Sequence, residues 1–225
     1  MKMHLLAAAV ALIASGAQAA TRYEIDTAHS RASFSVRHMM VSNAKGEFGN
    51  TTGEVMLDEK DPSKSTVKAT IDVKSLTTGN DKRDAHLKSP DFFDVEKFPT
   101  ITFESTKVSK GSKKGSYKVE GNLTLHGVTK PVTLNVEELT EPVKNPMMGM
   151  NQRGASATAT ISRKEFGMSW AGPALDKGGV VLGDDVKISI DAELLEKPAA
   201  GEAPKAMDAK TPPAPAGEKA AAPKK

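Results

Sequence analysis

Four histidines lie between residues 20 and 197: His29, His38, His86 and His126. Imidazole could ligate a metal or move a proton, but a metal needs ligands that converge, and no pair here has the short spacing of a zinc motif. His29 and His126 fall in turns and His86 on a helical stretch, where it contributes no apolar wall. His38 stands apart because it follows Ala32, Phe34 and Val36 in phase along a strand. It therefore faces inward near a strand end, where it could orient the head of a ligand or bond a backbone carbonyl. No serine sits in a G-x-S-x-G nucleophile elbow. Gly49-Asn50-Thr51-Thr52-Gly53 is bounded by glycine but lies between strand patterns, so it reads as a turn or bulge rather than a phosphate loop. Met147, Met148 and Met150 offer soft donors, but methionines in a loose loop more simply pack it. The chain has no cysteine, which removes thiolate metal sites and cysteine nucleophiles. No metal and no cofactor are expected.

The elements that must position these groups are strands. Apolar residues recur with a period of two in Ala32-Phe34-Val36, Val67-Ala69-Ile71-Val73, Tyr117 to Leu125, Val132-Leu134-Val136, Ala155-Ala157-Ala159-Ile161 and Val186 to Leu194. Such alternation marks half-buried strands with one wet face, and it favours antiparallel pairing over the continuous apolar runs of parallel sheets. Gly111 to Gly115 and His126 to Pro131 link successive runs, with Pro131 confined to a strand start or edge because it has no N–H to give. Glu141 to Gly149 reads as a looser loop. One stretch reads as helix, from an Asn80 cap to about Lys88, stopped by Ser89-Pro90, and Arg163 to Phe166 allows a short turn. The fold class is all-β, an antiparallel barrel of about eight long strands with one short helical excursion. Closure suits long strands in small number because it removes exposed edges. The wet faces carry many Lys and Glu and aromatics are only 4%, which argues against a transmembrane barrel with two aromatic girdles.

Both ends differ from this domain. Lys2, the apolar run Leu5 to Ala14 and Ala17-Gln18-Ala19 have the form of a secretory leader over residues 1–19, and the run is too short to span a bilayer. Residues 198–225 are rich in Ala, Pro, Lys and Glu and lack packing residues, so a disordered tail is expected there. That leaves 20–197 as one domain. The formal net charge is +3, of which the leader carries +1 and the tail +2. The domain is thus near neutral, and nucleic acid is excluded as a partner for want of a basic face.

Taken in order, several segments resemble the YceI-like family of polyisoprenoid-binding proteins. They are Tyr23-Glu24-Ile25-Asp26, His29-Ser30, Phe34, His38, Gly46-Glu47-Phe48, Arg83-Asp84-Ala85-His86-Leu87, Asp91-Phe92-Phe93-Asp94, Phe98 to Phe103, Gly121 to Pro131, Arg163 to Gly167, and Gly183-Asp184-Asp185-Val186. The resemblance implies a lipocalin-like barrel whose interior holds a long isoprenoid chain, in a protein exported to the periplasm. The tail is not part of that pattern.

The residues agree with the implication. Ala32, Ala69, Ala155, Ala157, Ala159 and Gly121 hold inward phases, and small inward residues leave room that a solid core would fill. The expected ligand wall is Phe34, Val36, His38, Ala69, Ile71, Phe103, Val119, Leu123, Leu134 and Ala157. The expected function is binding, storage or carriage of a polyisoprenoid lipid of quinone or polyprenyl phosphate type, not catalysis and without stable membrane insertion. A fatty-acid or amide binder, an enzyme using His38 or His86 as acid or base, and a scaffold acting through its tail are the competing readings. Head group and oligomeric state stay open. N-terminal sequencing of the exported protein should find Ala20 as the first residue; a chain still beginning at Met1 would refute the leader.

Overall fold

Alternating side chains force the chain into strands that are apolar on one face, and the computed structural model shows how they close on themselves. It describes residues 20–176 and 178–197. The proposed leader and tail lie outside the described residues. The strands are β1 (Thr21–Ile25), β2 (Arg31–His38), β3 (Ser42–Phe48), β4 (Thr51–Leu57), β5 (Thr66–Asp72), β6 (Leu76–Thr77), β7 (Thr100–Lys110), β8 (Tyr117–Leu125), β9 (Val128–Leu139), β10 (Val143–Lys144), β11 (Asn151–Ser162) and β12 (Leu182–Lys197). Among the described residues a single α-helix, α1 (Asp81–Lys88), interrupts them, capped by the Asn80 side chain as the sequence suggested.

These strands make eight staves of a closed antiparallel barrel. β12 pairs along one flank with β11 and along the other with β1, through Leu194–Lys197, and then with β2, through Leu182–Asp191. β1 and β2 are therefore one stave broken by a bend at Asp26–Ser30. Their partners β3 and β4 form a second stave bent at Gly49–Asn50, and β5 and β6 a third, bent by a 3-10 turn at Val73–Ser75. The other staves, β7, β8, β9, β11 and β12, follow in chain order.

Two details differ from the periodicity. The run Val67-Ala69-Ile71-Val73 leaves strand geometry after Asp72, because Val73 enters the 3-10 turn and is buried there. The link between β8 and β9 is only His126-Gly127, both with positive φ (52° and 73°). Val128 to Pro131 already belong to β9. Pro131 faces Asn122, and β11 joins the other side of β9 only from Asn135 onward. Pro131 thus sits where a missing N–H leaves no ladder incomplete.

The three bends lie side by side, bonded to one another and to β12. Asp72 N–H donates to Asn50 O at 3.0 Å, Thr27 Oγ1 to Thr51 O at 3.1 Å, and Glu193 N–H to Ser30 Oγ at 3.0 Å. Bends of this kind let long strands coil around a narrow barrel. The outer face carries ion pairs such as Lys68–Glu104 (2.7 Å) and Lys107–Glu120 (3.3 Å), charges that a lipid-facing barrel wall would not tolerate at its midplane.

The barrel has a sealed end. Arg153, 7% exposed, lies across it. Its Nε donates to the Tyr23 hydroxyl at 3.0 Å, one Nη to Thr140 O at 3.0 Å, and the other pairs with Glu59. Tyr23, Leu57 and Leu194 pack beneath it.

At the first bend His29 Nδ1 is 2.8 Å from Asp26 Oδ2 and 3.8 Å from Glu193 Oε2. The Asp26 hydrogen bond, followed by its charge and that of Glu193, raises the His29 pKa; the same hydrogen bond lowers that of Asp26. The histidine's contribution is complete below its ordinary pKa and disappears as pH rises through the raised value. The carboxylate's contribution is complete above its ordinary pKa and disappears as pH falls through the lowered one. The pair thus holds the bend best between roughly pH 4 and 6.5. Asp26→Asn should return the His29 titration midpoint, followed by NMR, downward toward that of a free imidazole. An unchanged midpoint would show that the contact does not persist in solution.

Candidate functional site

The inward residues of the eight staves do not meet at the barrel axis. They enclose a cavity of about 410 Å³ that runs from the sealed end, at Leu57, Leu139 and Leu194, to the opposite rim, at His38, Trp170 and Leu182. Along β12 alone the lining extends from Leu182 to Leu194. At ~3.3 Å per residue and a strand tilt of ~40°, that is about 30 Å along the axis. The space is long and narrow, suited to a chain rather than a disc.

All ten wall residues named from the sequence line this space. Phe34, Val36 and His38 come from β2, Ala69 and Ile71 from β5, Phe103 from β7, Val119 and Leu123 from β8, Leu134 from β9 and Ala157 from β11. His38 is exposed at the rim. The small residues divide into two kinds. Ala32, Ala69, Ala155 and Ala157 border the cavity, whereas Ala159 is not among its lining residues. Gly121 leaves no room for a ligand: a Cβ there would meet Phe103 Cζ at 2.4 Å, so the phenyl ring already occupies the space. Gly46 accommodates Phe34 in the same way, with the same 2.4 Å approach. These glycines shape the wall by letting an aromatic ring lie flat across the neighbouring strand.

The rim opposite Arg153 is roofed by segments whose role the periodicity does not reveal. His86, expected to contribute nothing to the wall, stands on the cavity's edge. Its ring is edge-on to Phe92 (5.0 Å) and to Trp170 (5.3 Å), and its Nε2 donates to Asp91 Oδ2 at 2.9 Å. Leu87, Phe92 and Phe93 complete the lining on this side. α1 itself buries no residue fully. It is tied down through Thr78: the Thr78 amide donates to Asp84 Oδ1 at 2.8 Å, and Arg83 Nε donates to Thr78 Oγ1 at 2.8 Å. Partial burial pushes the Asp84 carboxyl up, but the bonds from Thr78 outweigh it and hold the group below the usual carboxylate range.

Trp170 is held by Arg163, 3% exposed. Arg163 Nε donates to Gly183 O (2.8 Å), one Nη to Met168 O (2.7 Å) and Trp170 O (2.6 Å), and the other to Asp184 Oδ1 (3.2 Å). Burial lowers the Arg163 pKa and the Asp184 charge opposes that. One guanidinium thus gathers the backbone of the segment between β11 and β12. The sequence signals were present, in the lone tryptophan and in an arginine next to an apolar turn, but their meeting is tertiary.

Polar groups gather at the rim, where His38, Thr78, Arg83 and His86 border the opening. Deeper in, Ser30 and Ser65 also line the cavity, but their oxygens already accept from Glu193 and Asp58 amides. Thr51 Oγ1 is buried without a partner among the described residues. The arrangement can take in an apolar chain and offer hydrogen bonds to whatever remains at the opening.

A closed eight-stranded antiparallel barrel around an apolar hollow is a lipocalin-like fold. Residues 23–194 match the family described as YceI-like domain, and the chain belongs to that family. A UPF0312 protein of Staphylococcus aureus (strain bovine RF122 / ET3-1) is 42% identical over 173 residues, covering 77% of this chain and 96% of that protein. Among solved structures, a Campylobacter jejuni YCEI protein is 29% identical, with a TM-score of 0.59 over 72% of this chain and 90% of its own. Burkholderia cenocepacia BcnA shares the fold at 23% identity, with a TM-score of 0.64 over 75% and 98%. So does a domain from Saccharophagus degradans described as polyisoprenoid-binding and implicated in plant cell wall breakdown, at 15% identity and a TM-score of 0.56 over 78% and 98%.

Replacing Arg163 by methionine keeps much of the volume but leaves several backbone carbonyls and Asp184 without their donor. The unfolding free energy should fall by roughly 3 kcal/mol, and Trp170 emission should shift to the red as its segment loosens. Denaturant titration followed by fluorescence tests both; a variant as stable as the parent would show that this arginine does not hold the roof.

Proposed function

We propose that this protein binds a lipid with a long isoprenoid chain and stores or carries it in the periplasm. The observation that carries the reading is the continuous apolar hollow, about 30 Å long, open toward a polar rim and sealed by Arg153 at the other end. Each CH₂ moved from water into such a space gains about 0.8 kcal/mol before ordering costs. A long chain therefore supplies its own driving force. The sealed end fixes the direction of entry: the tail lies inside and the head group, a quinone ring or a phosphate, meets His38, Thr78, Arg83 and His86 at the rim. The family and the polyisoprenoid-binding description of the Saccharophagus degradans domain support this ligand class, and the leader-like residues 1–19 support export. Nothing in this scheme requires a bond to be made or broken, so binding alone is the proposed activity.

Native mass spectrometry of protein purified without detergent identifies the occupant. A prenyl mass is the expected result, whereas a fatty chain would replace the isoprenoid reading with a fatty-acid or amide binder. Ala157→Leu or Ala69→Leu should fill space the chain needs and lower occupancy at least about tenfold, while the empty barrel loses no more than the ~1–3 kcal/mol typical of overpacking. Unchanged occupancy in both variants would place the lipid elsewhere.

A further inference from the structure

The tip of the β2–β3 hairpin is costly in two independent ways. His38 O accepts from Val41 N–H at 3.1 Å, closing a turn whose central residues, Met39 and Met40, both have positive φ, 53° and 61°. This is the sign pattern of a type I′ turn, which Asn-Gly fits and bulky L-residues do not. The same residues are left in water: Met39 is 41% exposed, Met40 50% and Val41 80%. Backbone strain and exposed apolar surface together at one point indicate a function that neither folding nor solubility explains.

The tip also lies beside the opening of the cavity. Met39 N–H donates to Val181 O at 2.7 Å, and Met40 reaches Gly179, next to Val180, itself 41% exposed. His38 and Leu182, paired across β2 and β12 at the base of the tip, line the cavity. Apolar surface therefore continues from the exposed tip into the hollow. The hairpin from Arg37 to Lys45 carries two cations and His38 but no acid. Across the opening the described residues between β11 and β12 add the acids Glu165 and Asp176, and β12 opens with Asp184, which is bound to Arg163 and Lys164, and Asp185.

We infer that this rim docks on an anionic lipid surface, with Met39, Met40, Val41 and Val180 entering the head-group layer and Arg37 and Lys45 meeting lipid phosphates. Docked in this way, the opening faces the bilayer and an apolar chain passes between membrane and barrel without crossing water. The contact is interfacial and reversible, since a few side chains and two cations supply modest affinity. It rests on the cavity's being a lipid site. A second exposed apolar group, Val143 of β10 with Met147 and Met148 of the turn that follows it, sits at the sealed end, away from the opening, and provides an internal control.

The test uses protein purified without detergent and vesicles of equal parts phosphatidylcholine and phosphatidylglycerol. The protein should sediment with these vesicles, less so in high salt, and Trp170, the only tryptophan of the chain, should be quenched by brominated lipid. Met39→Asn with Met40→Gly suits the turn better, so its denaturant midpoint should not fall, yet vesicle binding should drop about tenfold or more. Met147→Ser with Met148→Ser should bind as the parent does. The inference is overturned if the parent ignores vesicles, if the turn variant binds unchanged, or if the control loses as much. It is also overturned if the tip mediates self-association, seen by sedimentation, with no vesicle binding. Loading of a polyprenol from organic stock without vesicles, read by native mass spectrometry, separates the two claims. Equal loading of parent and turn variant keeps the cavity reading whatever the vesicles show, and vesicle binding without loading refutes the cavity reading alone.

Discussion

Hydrogen bonding of β12 on both flanks is the constraint on which the rest of this protein depends. Its sixteen residues meet β11 on one side and β1 and β2 on the other. Without that double ladder the staves would form an open sheet with two long edges, and the inward residues would share one wet face. With it, the apolar phase of every stave is turned toward a common axis. Eight strands set the barrel's width, and side-chain size then decides whether the interior is solid or hollow.

The interior is hollow because of where its small and large residues fall. Alanines on β2, β5 and β11 stop short of the axis. The glycines act otherwise: Gly46 and Gly121 give their space to Phe34 and Phe103, which lie against the wall instead of projecting across the lumen. A ring pressed against a backbone presents a smooth apolar surface, and the lumen beside it stays open.

The two ends of the barrel differ in chemistry, and that difference gives the hollow a direction. Arg153, anchored to Tyr23, Thr140 and Glu59, closes one end with a buried, fully engaged guanidinium. The other end is roofed by a short helix with no fully buried residue and by a segment hung on Arg163. The closed end and the polar opening place any exchange with the surroundings at the rim, where His38, His86 and the methionine tip are found.

Local alternation made β2, β5, β8, β9, β11 and β12 and their inward faces legible, since a period of two is a property of the backbone that neighbouring residues express without help. The Asn80 cap and the Ser89-Pro90 stop likewise made α1 legible, because capping acts within one turn. What the tertiary structure decided are the features in which distant residues share one point. Three bends in register at Asp26, Gly49 and Val73 join six of the strands into three staves, which with β7, β8, β9, β11 and β12 make eight, the two-residue β10 standing at the margin of β11. Phe103 fills the space at Gly121. Trp170 meets His86 above the opening. Arg153 reaches back to Tyr23. The sequence records each residue type in these encounters but not its partner. Barrel closure chooses the partners, because the register of one ladder fixes every other around the ring.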